Sequence, residues 1–330
     1  MSMESQANIV LDINEDDINK IEKDLLSILL MDRTTKNNIL WGTDDYTELG
    51  DDYSAEKEIK QEQITGSRSK VIQPRIAKEM TRKRDRTRQR AEVFTPSWVC
   101  NAQNNLIDEQ WFGCAHVFNR AKHGGWEIIK GRIPFENKGK KTWKKYVDAR
   151  RLEITCGEAP YLASRYDTVT GKIIPIYERI GLLDRKLRVV GENTESRQEW
   201  MTWARRAIES IYGYEFQGDN LLLARENIFY TYIEYYKDRF GEEPDTRDLH
   251  GIAHVISWNL WQMDGFNYAI PYCKVDWGPR QLSLFDYIDS DEYVDYSYLT
   301  DTKGQQLCKI RDWRSKETLL FKNVVEEVQR

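Results

Sequence analysis

The residues best placed to do chemistry lie between Leu152 and Leu162: Leu-Glu-Ile-Thr-Cys-Gly-Glu-Ala-Pro-Tyr-Leu. An apolar residue and an acid, Glu153, lead into a small-residue turn, Thr155-Cys156-Gly157, and then into an apolar helix start. An open α/β sheet presents a cofactor in this way, at the carboxyl end of its first strand. Two more acids follow the pattern. Ile211-Tyr212-Gly213-Tyr214-Glu215 reads as a short strand ending in an acid, and an acid at the end of a second strand accepts hydrogen bonds from ribose hydroxyls. The stretch from Asn259 to Phe266 reads as another strand closing on Asp264-Gly265, where a carboxylate can accept from an adenine amine with Phe266 beside the base. Acids at strand ends are common in any soluble protein. The ordered set of three carries the inference.

Other groupings read as structure. His250 and His254 stand four apart, but Gly251 fills the glutamate's place in a His-Glu-x-x-His zinc site, so a helical surface pair is expected. Cys114, His116 and His123 lack a second ligand pair and read as loop. Asp51, Asp52, Glu58 and Lys60 resemble the acid and Glu-x-Lys arrangement of metal-dependent nucleases, but are closely spaced in a stretch without apolar strand character; a solvated linker is expected. No metal site is expected. The five cysteines, odd in number and without a Cys-x-x-Cys pair, read as reduced thiols. Among 11 tryptophans, Trp258, Trp261 and Trp277 fall in one region and read as core.

Positioning these residues requires a sizeable fold, and the chain has the means. With 330 residues, 40% of them hydrophobic, and a mean hydropathy of -0.71, it can bury one large core or two smaller ones. Met1 to Leu11 lacks a basic stretch followed by an apolar core, and the apolar run near Leu25 to Met31 is too short to span a bilayer, so a cytoplasmic protein with no membrane association is expected.

Charge is uneven. Residues 1–62 hold 16 acids against 6 basic residues, whereas residues 63–150 hold 20 basic residues against 8 acids, clustered from Arg75 to Arg90 and from Lys138 to Lys145. Such a belt suits a polyanion, because neutralising phosphates releases counterions. Nucleic-acid contacts are expected from Arg82, Lys83, Arg84, Arg86, Arg88 and Arg90, the plainer alternative being a solvated basic helix.

Three regions follow. Residues 1–62 form an acidic arm with one amphipathic helix, Asp17 to Met31, and a glycine-punctuated tether from Gly42 to Asp52. Residues 63–150 form a basic helical region containing Phe94-Thr95-Pro96, whose proline opens a helix running to Trp111. Residues 151–330 alternate short apolar strands with longer helices, as α/β sheets do.

These elements together resemble the cofactor-binding, N-terminal portion of adenine-specific DNA methyltransferases, the modification subunits of restriction-modification systems. Phe94-Thr95-Pro96 resembles the Phe-Thr-Pro element that covers the methionine end of S-adenosylmethionine, and Glu153 to Leu162 resembles the first cofactor loop. The resemblance puts the ribose-binding acid on Glu215 and the adenine-contacting acid on Asp264, and it spans roughly Ala91 to Phe266. It implies a doubly wound, Rossmann-like α/β sheet that binds S-adenosylmethionine, preceded by a helical arm. Ile154 stands where proline is usual and Ala159 where a second glycine is usual, and Thr170 to Glu199 must be an insertion.

The family's catalytic Asn/Asp-Pro-Pro-Tyr/Phe motif, which holds the flipped adenine, has no counterpart: none of the eight prolines adjoins another. No catalytic residue is assigned. In a doubly wound sheet the first strand lies beside the fourth, so an incomplete sheet leaves the first strand at an edge. Either Gln306 to Trp313 supplies a covering strand, or a second polypeptide carrying the catalytic and target-recognition region does. The alternatives are a non-catalytic regulatory or specificity relative, and a nuclease component of the same system.

Overall fold

The computed structural model describes residues 14–74, 76, 95–136, 139–273 and 306–329, a mixture of helix and small sheets. In chain order the helices are α1 (Glu15–Ile21), α2 (Leu25–Leu30), α3 (Ser97–Phe112), α4 (Trp143–Asp148), α5 (Leu182–Asn193), α6 (Arg197–Glu209), α7 (Gly218–Phe240), α8 (Thr246–Asn259) and α9 (Phe321–Gln329). The strands are β1 (Asn119–Lys122), β2 (Gly125–Ile128), β3 (Arg151–Glu153), β4 (Ile211–Glu215), β5 (Leu260–Gln262), β6 (Lys309–Asp312) and β7 (Glu317–Leu320).

Local chemistry explains many boundaries. The Asn14, Ser196 and Asp245 side chains accept backbone N–H groups at the starts of α1, α6 and α8. Gly113 and Gly241, at φ +75° and +72°, close α3 and α7 in the left-handed conformation that glycine adopts without strain.

Three parallel strands form the central sheet in the order β3-β4-β5, with Glu153 level with Gly213 and Glu215 level with Gln262. Alternate residues serve two cores, as a two-faced sheet requires. Ile211 and Leu260 join the main core with α5 to α8, whereas Tyr212, Trp261 and Met263 pack with Ile310 and Phe321. The β1-β2 and β6-β7 pairs are separate antiparallel hairpins. Thus the alternating segment from Gln306 to Trp313 does not extend the central sheet. Among the described residues β3 is an edge strand, with Leu152 47% and Ile154 62% exposed.

The N-terminal segment differs from the expected arm and tether. Two helices replace the single one expected from Asp17 to Met31, because the backbone becomes extended at Glu22 and α2 follows a new path against α8. Ile18, Leu25, Leu26, Leu29, Leu30, Trp41 and Ile59 are fully buried in the main core. The 42–52 stretch is folded down too: Gly42 N–H donates to the Ala55 carbonyl, and the Tyr46 hydroxyl to Asp219.

Arg225 of α7 ties this segment to the sheet. Its guanidinium, fully buried, donates to the carbonyls of Leu29, Met31, Ser257 and Leu260. Burial lowers its pKa to about 9, opposed by the nearby Asp32 charge. The four carbonyls supply the solvation that water would give an exposed cation.

His250 and His254 do lie on one helix, α8, and the Asp51–Tyr53 stretch is a short 3-10 turn. Among the described residues no group of His, Cys, Asp and Glu is arranged to hold a metal, and no helix is long and apolar enough to cross a membrane.

Candidate cofactor site

At the carboxyl edge of the central sheet, Glu153 ends β3, Glu215 ends β4, and Asp264 stands two residues beyond β5. Parallel pairing makes this coincidence: three strands running the same way deliver their last residues to one edge. Met263 N–H donates to the Glu215 carbonyl at 3.0 Å, which carries the pairing past β5 and sets Asp264 beside the end of β4.

The loop after β3 is held across the sheet. Cys156 N–H donates to the Tyr214 carbonyl at 2.9 Å, and Gly157 N–H donates to Glu215 Oε2 at 2.8 Å. The turn then closes through Ala159 N–H to the Cys156 carbonyl at 2.7 Å. Three successive odd positions take positive φ: Thr155 at +47°, Gly157 at +53° and Ala159 at +60°. Glycine tolerates this freely, alanine less so, and a β-branched threonine is a genuine outlier. Ala159, at the place where the resemblance leads one to expect glycine, therefore adopts a glycine-like conformation.

Close packing shapes the floor. A Cβ on Gly213 would approach Cys156 Sγ to 3.2 Å, and one on Gly181 would lie 2.5 Å from the Leu162 carbonyl oxygen. Nothing lies within 4 Å of the Cβ position of Gly157, so the outer side of that turn is open.

Electrostatics separates the acids. Glu153 accepts from the N–H groups of Tyr161 (3.4 Å) and Leu162 (3.2 Å). Burial nonetheless pushes its carboxyl well above the usual carboxylate range, with the Glu215 charge acting the same way. The buried Cys156 thiol is likewise pushed well up by burial, then by Glu153 and Glu215, so it is a packed thiol rather than a nucleophile.

Glu215 is engaged by its own backbone surroundings: Oε2 accepts from Gly157, and Oε1 from Phe216 (2.9 Å) and Gln217 (3.2 Å). Asp264 builds a local turn, with Oδ1 accepting from Phe266 N–H at 2.9 Å and Oδ2 from the Asn267 side chain at 2.7 Å. Gly265 packs on the Tyr214 ring, and Phe266 is 93% exposed.

Thr95 and Pro96 come to the same region. Asp167 accepts from Ser97 N–H at 2.9 Å, and the Thr95 carbonyl accepts from the Thr168 hydroxyl at 2.9 Å. The Tyr161 hydroxyl has the Thr95 and Cys100 side chains as hydrogen-bonding neighbours; burial raises its pKa to about 12. Thr95, Pro96, Glu153, Thr155, Cys156, Gly157, Glu215, Asp264 and Gly265 are thus gathered around one sheet edge. Phe94 and the basic residues Arg82, Lys83, Arg84, Arg86, Arg88 and Arg90 lie outside the described residues.

Several supporting residues escaped sequence reasoning. Asn104 donates to the carbonyls of Tyr161 (3.0 Å) and Ile180 (3.1 Å), fastening α3 to the loop. It belongs to a polar stripe, Asn101, Asn104, Asn105 and Asp108, at spacings that share one helix face. That stripe was the available signal. Arg185 fills it, pairing with Asp108 and donating to Asn101 (2.9 Å) and Asn105 (2.8 Å).

A nucleoside-bearing cofactor fits this donor and acceptor set in part. The acids at and just past the strand ends, the open turn at Gly157 and the exposed Phe266 match it, but Glu215 and Asp264 already accept from nearby backbone N–H groups and, for Asp264, from the Asn267 side chain, so a ligand would share or displace those donors. No family model, curated protein or solved structure compared with the chain matches it.

Proposed function

We propose that this chain is the S-adenosylmethionine-binding part of an adenine-specific DNA methyltransferase of a restriction-modification system, built on the first half of a doubly wound, Rossmann-like sheet. The observation that carries the reading is the convergence of Glu153, Glu215 and Asp264 on the carboxyl edge of three consecutive parallel strands. Ligands of open α/β sheets bind at that edge.

In this reading Glu215 accepts the ribose hydroxyls and Asp264 the adenine amine, with Phe266 free to lie against the base. Thr95 and Pro96 border the methionine end. Glu153, whose carboxyl burial pushes well above the usual carboxylate range, holds the loop by accepting from Tyr161 and Leu162. The bound cofactor supplies an electrophilic methyl group. The chain's own part is to orient it, and alignment is the main requirement of an in-line displacement.

DNA is the second partner, and a further polypeptide carrying the catalytic and target-recognition region is the third. Among the described residues β3 is an edge strand, and Leu152 within it and Ile154 just after it are exposed, which supports a partner strand there. We place the protein in the cytoplasm, where such partners meet. A regulatory relative that binds DNA or cofactor without catalysis is the second reading, favoured by the absence of any Pro-Pro pair and by the self-engaged oxygens of Glu215 and Asp264.

Titration calorimetry with S-adenosylmethionine tests the reading. Binding that weakens at least tenfold in Asp264→Ala supports it; no heat at millimolar cofactor overturns it. Methylation of DNA on adding a partner containing Asn-Pro-Pro-Tyr separates the first reading from the second.

A further inference from the structure

Away from the sheet edge lies a groove of about 560 Å³, lined by Arg132, Pro134, Phe135, Trp143, Lys144 and Asn193, among others. Its volume falls within the ~300–1,000 Å³ of sites that enclose small organic groups. Two features mark what it suits. Arg132 is held in place at the rim, donating to Asn193 Oδ1 at 2.6 Å. Half-buried Trp143 packs edge-on against Trp203 with ring centroids 4.9 Å apart, and the Lys144 ammonium lies over both rings. A cation and an aromatic surface therefore adjoin one cavity.

The surroundings are strongly basic. Lys140 and Lys145 are exposed on the same stretch of chain, and Arg120, Lys122 and Lys130 are exposed on or just after the β1-β2 hairpin. Glu127, paired with Lys122, and Glu136 are the acids among residues 113–145 that the structure describes. Glu136 lines the groove and Glu192 accepts from the N–H of its lining residue Ile133, so the charge is mixed with cations in excess. An excess of cations beside aromatic rings is what a nucleic-acid strand requires: phosphates meet the cations and a base meets the ring. A paired duplex offers no free base face, so the groove suits an unpaired strand.

We propose that this groove is a single-stranded DNA subsite, with phosphate on Arg132 and Lys144 and a base against Trp143 and Phe135. The assignment deepens the DNA half of the reading above and rests on it for the choice of polymer. It does not depend on cofactor binding.

Fluorescence anisotropy of a labelled 12-nucleotide oligo-dT, measured between 50 and 300 mM salt without cofactor, tests it. Arg132→Glu with Lys144→Glu should weaken binding at least tenfold. Arg132→Ala with Lys144→Ala should lower the slope of log K against log salt by about 1.4, since each phosphate contact on a single strand accounts for ~0.7. Trp143→Ala should weaken binding about fivefold or more and Trp143→Phe should restore most of it, because base stacking on an aromatic is worth ~1–3 kcal/mol. Thermal melts establish which variants are folded, and the alanine pair keeps the test alive if Trp143→Ala unfolds. Wild-type affinity and slope in the double variants overturn the proposal, as does a duplex that outcompetes the single strand. Equal competition by polyglutamate overturns it in favour of an acidic protein. Failure of calorimetry with S-adenosylmethionine would strike the cofactor reading and leave this result standing.

Discussion

The Gly157 backbone N–H donates to Glu215 Oε2 at 2.8 Å, so the loop that follows the first strand of the central sheet is fastened to the last residue of the second. Glu215 also caps its own turn through Phe216 and Gln217. Glu215→Ala would leave these half-buried donors without their acceptor, at a cost toward the lower part of the ~1–3 kcal/mol that an unpaired buried group incurs, since water reaches part of the turn. Urea denaturation should show that loss, and Glu215→Gln, which keeps one carbonyl acceptor, should recover part of it. Equal stability of wild type and Glu215→Ala would contradict the role assigned to this acid.

Thr155 is exposed, at φ +47°, in a conformation that costs an L-residue ~1–2 kcal/mol. Thr155→Gly relieves that strain and buries nothing less, while adding ~0.4–1 kcal/mol of unfolded-chain entropy. The expected net effect is a stabilisation of roughly 0.5–1 kcal/mol. A lower melting temperature would mean that the threonine side chain contributes more than its strain.

Gly218 opens α7 against the backbone of the N-terminal segment. Its N–H donates to the Trp41 carbonyl at 2.9 Å, and a Cβ there would lie 1.9 Å from the Leu40 carbonyl oxygen. Leu40 cannot yield readily, since Gln262 accepts its N–H at 2.7 Å and donates to its carbonyl at 2.9 Å. Gly218→Ala should therefore cost at least the upper part of the ~1–3 kcal/mol usual for overpacking. Differential scanning calorimetry reads this directly, and an unchanged transition would refute the close approach.

Glu226, on α7, is fully buried with neither carboxylate oxygen hydrogen-bonded, and burial raises its pKa to about 8, with Arg165 opposing. The folded state thus holds this proton more tightly than the unfolded chain, where a glutamate titrates near 4.3. Its contribution to stability is whole below about pH 4 and is lost as pH rises toward about 8, by up to ~1.4 kcal/mol per pH unit. Glu226→Gln should match wild type near pH 4 and exceed it at pH 8.5 in urea titrations. Parallel pH profiles for the two proteins would show that Glu226 does not titrate in this window.

Part of this architecture was legible locally. Pro96 announces α3, which begins at Ser97, and the strand ending at Glu215 is the strand observed. These elements depend on capping chemistry and short apolar runs, which neighbouring residues decide. The polar stripe Asn101, Asn104, Asn105 and Asp108 was visible too, but its spacing alone could not say that Arg185, far along the chain, would fill it.

The sequence by itself determined Glu153 and Glu215 as strand-end acids, the small-residue turn between Thr155 and Gly157, and the uneven charge, while the third strand stops at Gln262, two residues short of the expected Asp264. Only the tertiary structure decided that the N-terminal segment is part of the core, that β3 is an edge, and that Glu215 and Asp264 spend their oxygens on nearby backbone and side-chain donors. The physical reason is range. Turns and strand ends follow from dihedral and hydrogen-bonding preferences within a few residues, whereas the 1.9 Å approach at Gly218 and the partners of a buried carboxylate depend on chain segments that meet only when the whole fold closes.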